Sequence, residues 1–273
     1  MNYRSITACL DQEESSKRLM KFAVNIAAQQ DAHLTGMYLS YVPPVIYDLY
    51  GGLGPLVLEW DRQDQERRNT YEELLRRNAG LAGVNVDWVV CRDLNWQLAM
   101  AHTRTADLAI IGQKRPGYTD LSQGFFDSLV LKTGRPVLFL PHDGDVPAAF
   151  DKIIVAWDSS REAARALADS LPFLRKAQQV LVLSAAHSSD KEEEFPDVDV
   201  AAYLARHNIK AVIEKDDHVS IDTAQWLLSR AAKDGADLLV MGAYGHNRFS
   251  EFVLGGVTRS VMHGMTLPVL MSH

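Results

Sequence analysis

The feature that most constrains this chain is that it carries its own plan twice. SITACLDQEESSKRLMKFAVNIA, from Ser5, matches KIIVAWDSSREAARALADSLPFL, from Lys152, in kind. Each is a short apolar run ending in an aspartate (Asp11, Asp158), then a small-polar helix start and an amphipathic helix. ADLAIIGQ from Ala106 answers to ADLLVMGA from Ala236, and GRPVLFLPH from Gly134 to TLPVLMSH from Thr266. The blocks keep the same order in both halves. The two aspartates lie 147 positions apart and the glycines Gly112 and Gly242 only 130, so the first half carries about 17 extra residues between these landmarks. They fall in YVPPVIYDLYGGLGPLVLEWDRQ, which has no later counterpart. A repeat this long is a whole domain. The Pro/Gly/Asp-rich stretch over 141–152 marks the boundary, and the domains are expected at 1–145 and 150–273.

Within each half, strand-like and helical patterns alternate. In the second, strands are expected over 152–157, 180–185, 210–214, 238–241 and 268–271, with helices over 162–176, 198–207, 221–234 and 256–265. Several strands are apolar throughout, as strands covered on both faces should be. Strand–helix alternation implies a parallel sheet with right-handed crossovers, so the fold class is α/β. Ligands of such sheets bind beyond the carboxyl ends of the strands, where strand order reverses. Asp158 and Gly242 both end predicted strands at that edge.

At 273 residues, 47% hydrophobic and 23% charged, the chain has room for two ordinary domains. No apolar run nears the roughly 20 residues that span a bilayer, and the N-terminus lacks a secretory pattern. Cys9 and Cys91 have neither metal nor redox spacing and read as buried reduced thiols, so a cytoplasmic protein is expected. A net charge of -7 argues against a nucleic-acid footprint. Arg67-Arg68 and Arg76-Arg77, set among glutamates on a helical pattern, read as a solvated face. The many apolar residues of 42–61, among them Tyr47, Tyr50, Leu56, Leu58 and Trp60, read as a loop needing cover, from its own domain, an oligomer contact or a ligand.

The stretch DLLVMGAYGHNRFSEFVLGGVTRSVM, Asp237 to Met262, holds the chemistry. Gly242 and Gly245 would let a ligand approach the backbone. Gly255-Gly256 precedes a helix whose free N–H groups favour phosphate, and Thr258 adds a hydroxyl. His246 lies in the arch between, as a phosphate contact or a plain surface histidine. Asp158 would meet a ribose hydroxyl or a metal, or cap the helix beginning near Ser160. The alternative for the glycines is turn geometry alone. No histidine cluster points to a metal.

With Gly242, Gly245 and Gly255 spaced G-x2-G-x9-G, the flanking ADLLVMG and LPVL, and VAWDSS from Val155, the chain resembles the universal stress protein family over nearly its whole length. The resemblance implies two tandem Rossmann-like domains of the adenine nucleotide alpha hydrolase kind, each a five-stranded parallel sheet flanked by helices. For one subgroup it implies ATP, with magnesium, which here would lie in the second domain: Asp158 near the ribose, Ala185 at the adenine, and Gly242, Gly245, Gly255, Gly256, Val257 and Thr258 around the phosphates. Gly256 stands where ATP-binding members carry a hydroxyl. The first half departs further, with Arg115 and Gln123 at glycine positions, and is expected to pair with the second without binding nucleotide. Three functions remain open: a nucleotide-binding regulator, a nucleotide-free interaction module, and a slow ATP hydrolase. No catalytic residue stands out, and a homodimer is the default by symmetry.

Overall fold

Strands and helices alternate through both repeats in a computed structural model that describes residues 2–11, 14–40, 55–92, 96–113, 120–144, 146–185, 198–216, 222–245 and 256–273. The first repeat runs β1 (Ser5–Leu10), α1 (Ser15–Gln30), β2 (His33–Ser40), α2 (Pro55–Ala82), β3 (Val86–Arg92), α3 (Trp96–Arg104), β4 (Leu108–Gly112), α4 (Asp120–Lys132) and β5 (Val137–Leu140). The second runs β6 (Lys152–Trp157), α5 (Arg161–Leu174), β7 (Gln179–Ala185), α6 (Val198–Arg206), β8 (Ala211–Asp216), α7 (Thr223–Asp234), β9 (Leu238–Gly242), α8 (Gly256–Gly264) and β10 (Val269–Ser272). The α/β class and the tandem repeat are as expected.

The chain divides into two compact units, Asn2–Gly112 and Gln113–His273. In the first, strand order is β3-β2-β1-β4, all parallel. In the second it is β5-β10-β9-β6-β7-β8, parallel except that β5 runs antiparallel to β10, with Phe139 opposite Val269 and Val137 opposite Met271. That pairing carries the last strand of the first repeat into the unit that holds the second. Compact unit and sequence repeat therefore part company between Gly112 and the 141–152 stretch.

The central strands are as dry as their sequences require. Ile153, Ile154 and Val155 of β6 and Leu238, Leu239 and Val240 of β9 are fully buried, and each such side chain contributes roughly 1.5–3 kcal/mol. Helix ends follow local chemistry. Asp222 caps α7 by accepting from the Ala224 N–H at 3.0 Å, and Gly235 closes it in a left-handed conformation. Cys9 and Cys91 are free and buried. Burial pushes both thiols up, Cys91 to about 11, so they stay protonated. No helix among the described residues is long and apolar enough to cross a membrane.

Two expectations are corrected. The tail of the 42–61 segment is not loop, because α2 starts at Pro55, a residue suited to a first helical turn, and runs 28 residues. Residues 42–54 lie outside the described ones. Nor is Arg68 on a solvated face. Asp64, Arg68, Tyr71, Leu75 and Ala79 form the buried stripe of α2, so helical periodicity sends Arg68 inward while Arg76 pairs with Glu72 at the surface as expected.

Candidate functional site

The sheet of Gln113–His273 reverses its order between β6 and β9. The chain steps from β6 to β7 and β8 on one side, then returns to β9 and β10 on the other. Their register pairs Val155 with Val240, so Asp158 and Gly242 emerge at the same carboxyl edge, on either side of the switch point. This is where an α/β sheet leaves a crevice for a ligand.

Gly242 is glycine for a packing reason. A Cβ there would sit 2.6 Å from the Ala163 nitrogen and 2.7 Å from the Glu162 carbonyl carbon, at the start of α5. At Gly245 a Cβ would meet the Glu162 Oε2 at 3.2 Å and the Ser160 Oγ at 3.6 Å. Glu162 is 5% exposed, and its other oxygen lies 3.1 Å from the Nε of surface Arg161. A buried carboxylate thus flanks the glycine turn, stabilised by the positive end of α5. Gly256 is different. It opens α8, it is exposed, and a Cβ there would meet nothing within 4 Å. Its first turn carries N–H groups that have no partner within the helix.

Between the two glycines sits Tyr244, with φ at 60°. A bulky residue in the left-handed region costs about 1–2 kcal/mol, and here both its ends are held. Its N–H donates to the Thr258 Oγ1 at 3.1 Å, and its hydroxyl donates to the Asp127 Oδ1 at 2.6 Å. Burial, and then the Asp127 carboxylate, raise the phenol pKa, so it remains a donor. Thr258 is 3% exposed, and its oxygen serves the turn. Arg259, the next residue of α8, reaches the other Asp127 oxygen at 3.5 Å. At the far end of α8, the Gln113 amide donates to the carbonyls of Met262 at 3.0 Å and His263 at 3.1 Å.

Asp158 is exposed at the tip of β6, where its Oδ1 accepts from the Ser160 N–H at 3.0 Å. The α5 cap itself is Ser160, which accepts from Ala163 N–H at 3.1 Å. The alternative of Asp158 as the helix cap is thereby corrected, since the chain turns through Ser159 at φ 60° before the helix begins. Ala185 ends β7, one strand over from β6, and pairs with Asp216. Val257 is half-buried in the first turn of α8. The turn thus joins Gly242, Gly245 and Thr258, with Asp158 across the switch point. His246 and Gly255 lie outside the described residues, as do Lys114 and Arg115 of the first repeat. Among the described residues no group of three His, Cys, Asp or Glu could hold a metal.

The same edge of the first unit is built otherwise. The Asp11 Oδ1 accepts from the Ser16 hydroxyl at 2.8 Å, and the Asp11 N–H donates to the Ser16 Oγ at 3.0 Å. Tyr38 pairs with Leu10, as Ser184 pairs with Trp157 in the second repeat. Its hydroxyl donates to the Asp64 Oδ1 at 2.7 Å, and Ser40 donates to the Oδ2 at 2.7 Å. Arg68 Nε lies 3.1 Å from the same oxygen. Asp64 is 1% and Arg68 4% exposed. Burial, and then Asp64, raise the Tyr38 pKa.

Sequence reading missed Glu162, Tyr244 and Asp127. Glu162 has a signal, an acidic residue in the first turn after the Asp158 turn. Tyr244 has a weaker one, its place between two glycines. Asp127 has none, because its role arises from a contact across 117 positions.

The pattern of the Universal stress protein family matches the chain twice, over residues 2–140 and 149–273. Among solved structures, the chain is similar to a universal stress protein from Archaeoglobus fulgidus DSM 4304, at 16% identity over 98% of this chain and 95% of that one, with a TM-score of 0.71. It is also similar to a functionally unknown protein from Pseudomonas aeruginosa PAO1, at 17% identity over 99% of this chain and 92% of that one, with a TM-score of 0.62. At such identities the likeness is one of fold. No curated protein matches it in sequence.

Proposed function

Given that the chain belongs to the universal stress protein family, matched by both of its repeats, we propose that its second domain, 150–273, binds ATP or a related adenine nucleotide and acts as a stress-response regulator. The observation that carries this reading is the switch point itself. Asp158 flanks it on one side, and on the other the Gly242–Gly245 turn is tied to the start of α8 through the Tyr244 N–H and the Thr258 hydroxyl. Asp158 would accept from a ribose hydroxyl, and Ala185 would offer backbone to the base. Gly245, Gly256 and Val257 would offer N–H groups to phosphates, with His246 and Gly255 completing the arch. Glu162 bears on the cation. A carboxylate 3.2 Å from a Gly245 Cβ position opposes a bare polyphosphate, so magnesium fits as a neutralising companion. The first domain, 1–145, takes no nucleotide in this reading.

A second reading is favoured by two observations. Gly242 is explained by packing alone, and Glu162 places negative charge where phosphate would lie. Both suit a nucleotide-free interaction module that keeps its glycines for turn geometry.

Thermal melting with ATP and magnesium decides between them. A ligand held only by the folded state at about 100 times its Kd adds about 2.7 kcal/mol. The proposal expects the midpoint to rise with ATP concentration in the native protein and to stay fixed in Gly245→Val, whose Cβ would already crowd the Glu162 Oε2 at 3.2 Å. A midpoint indifferent to ATP in the native protein would favour the interaction module.

A further inference from the structure

The helix and turn of the candidate site are gripped at both ends by residues that sequence order assigns to the other repeat. At the start of α8, Asp127 of α4 accepts from the Tyr244 hydroxyl at 2.6 Å and faces the Arg259 guanidinium at 3.5 Å. At its end, Gln113 donates to the carbonyls of Met262 and His263, which have no partner within the helix. Gln113 is in turn fixed by His142, whose N–H donates to its Oε1 at 3.0 Å. All these residues lie in the same compact unit.

We propose that Asp127 is a positioning residue for the glycine turn, holding Tyr244 in its left-handed conformation so that the turn stays tied to the start of α8. The reasons are geometric. Tyr244 has a backbone that an aromatic residue adopts only under restraint. Its N–H is already spent on Thr258 of α8, which ties the turn to the helix start. The phenol is the remaining handle, and the carboxylate it reaches is 16% exposed, with a guanidinium on its other oxygen. A hydrogen bond to a charged acceptor in such surroundings is among the stronger kinds. Without it, Tyr244 is free to relax toward the ordinary β or α regions. That would reorient the next peptide and loosen the tie between the turn and α8. The first repeat, though it carries no glycine loop of its own, thus supplies the fixed point of the second repeat's loop.

This inference rests on the nucleotide reading for its consequence but not for its geometry, and the test keeps the two apart. Amide hydrogen exchange at Tyr244 would be followed in the native protein without ligand and in Tyr244→Phe, Asp127→Ala and Asp127→Asn. Each variant would also be titrated with ATP and magnesium. Exchange at the Tyr244 amide should rise about tenfold in Tyr244→Phe and Asp127→Ala, while β9 amides such as Val240 keep their protection. Asp127→Asn, which keeps an acceptor oxygen for the phenol, should restore most of it. ATP affinity should fall by about tenfold in the first two variants, and combining them should cost no more than either alone. Unchanged exchange in Tyr244→Phe and Asp127→Ala would overturn the proposal, and so would faster exchange with unaltered ATP affinity. If the native protein binds no ATP, the nucleotide reading fails, and the exchange data alone decide whether Asp127 positions the turn.

Discussion

The two repeats share one plan and finish the carboxyl edges of their sheets in opposite ways. In the first, side chains close the edge. Ser16 holds Asp11, and the buried set of Tyr38, Ser40, Asp64 and Arg68 occupies the ground beyond β2. In the second, Ala163 stands where Ser16 would be and Ser184 stands where Tyr38 would be. Asp158 is exposed, and the neighbouring turn is backbone and glycine. The glycines show the same contrast. Among the described residues a Cβ on Gly112 would meet nothing within 4 Å, whereas one on Gly242 would strike the backbone at the start of α5. A fold of this kind offers a crevice by topology, and the sequence either fills it with side chains or leaves main chain exposed to it. In the proposed reading, the second choice is the one that takes a polyphosphate.

The sharpest way to break this comparison is at the filled edge. Arg68→Ala strands the Asp64 carboxylate in the interior and should cost about 3–5 kcal/mol in urea unfolding. The double change Asp64→Leu with Arg68→Met should recover only part of that, because the Tyr38 and Ser40 hydroxyls lose their acceptor. In either variant that still folds, ATP binding should be unaffected. Next comes the glycine pair. Gly242→Ala should cost about 1–3 kcal/mol through the backbone clash, and Gly112→Ala should stay within about 0.5 kcal/mol. Equal costs would mean the two strand ends are packed alike. Helix starts give a smaller contrast. Ser160→Ala removes a side-chain cap and should cost about 1 kcal/mol. Glu14→Ala, at the start of α1, should cost less, since Glu14 makes no cap bond and its pair with Lys17 is largely exposed. The smallest effect concerns charge. Glu162→Gln should tighten ATP by about three- to tenfold without magnesium and by less with it, read by calorimetric titration.

Much of this could be read in advance because repetition and periodicity are one-dimensional. The apolar runs ending in Asp158 and Gly242 announced buried parallel strands, and their ends announced the edge at which a site would lie. The spacing of Gly242, Gly245 and Gly255 pointed to a turn that keeps side chains out of the way. What escaped was set by a local stripe left untraced in one case and by contacts distant in sequence in the others. Arg68 reads as one of many surface arginines until its stripe is traced through Asp64, Tyr71 and Leu75, where an i,i+4 ion pair lies on the inward face. Gly242 reads as a ligand-facing glycine until Glu162 and Ala163 are found behind it. Tyr244 reads as a loop tyrosine until Asp127 arrives from α4.

The measurement that tests the account most directly is native mass spectrometry of the chain with ATP and magnesium, counting nucleotides per chain. The account predicts one, retained in Arg68→Ala and lost in Gly245→Val. No bound nucleotide at saturating ATP would contradict the reading of the second edge, and two would contradict the reading of the first.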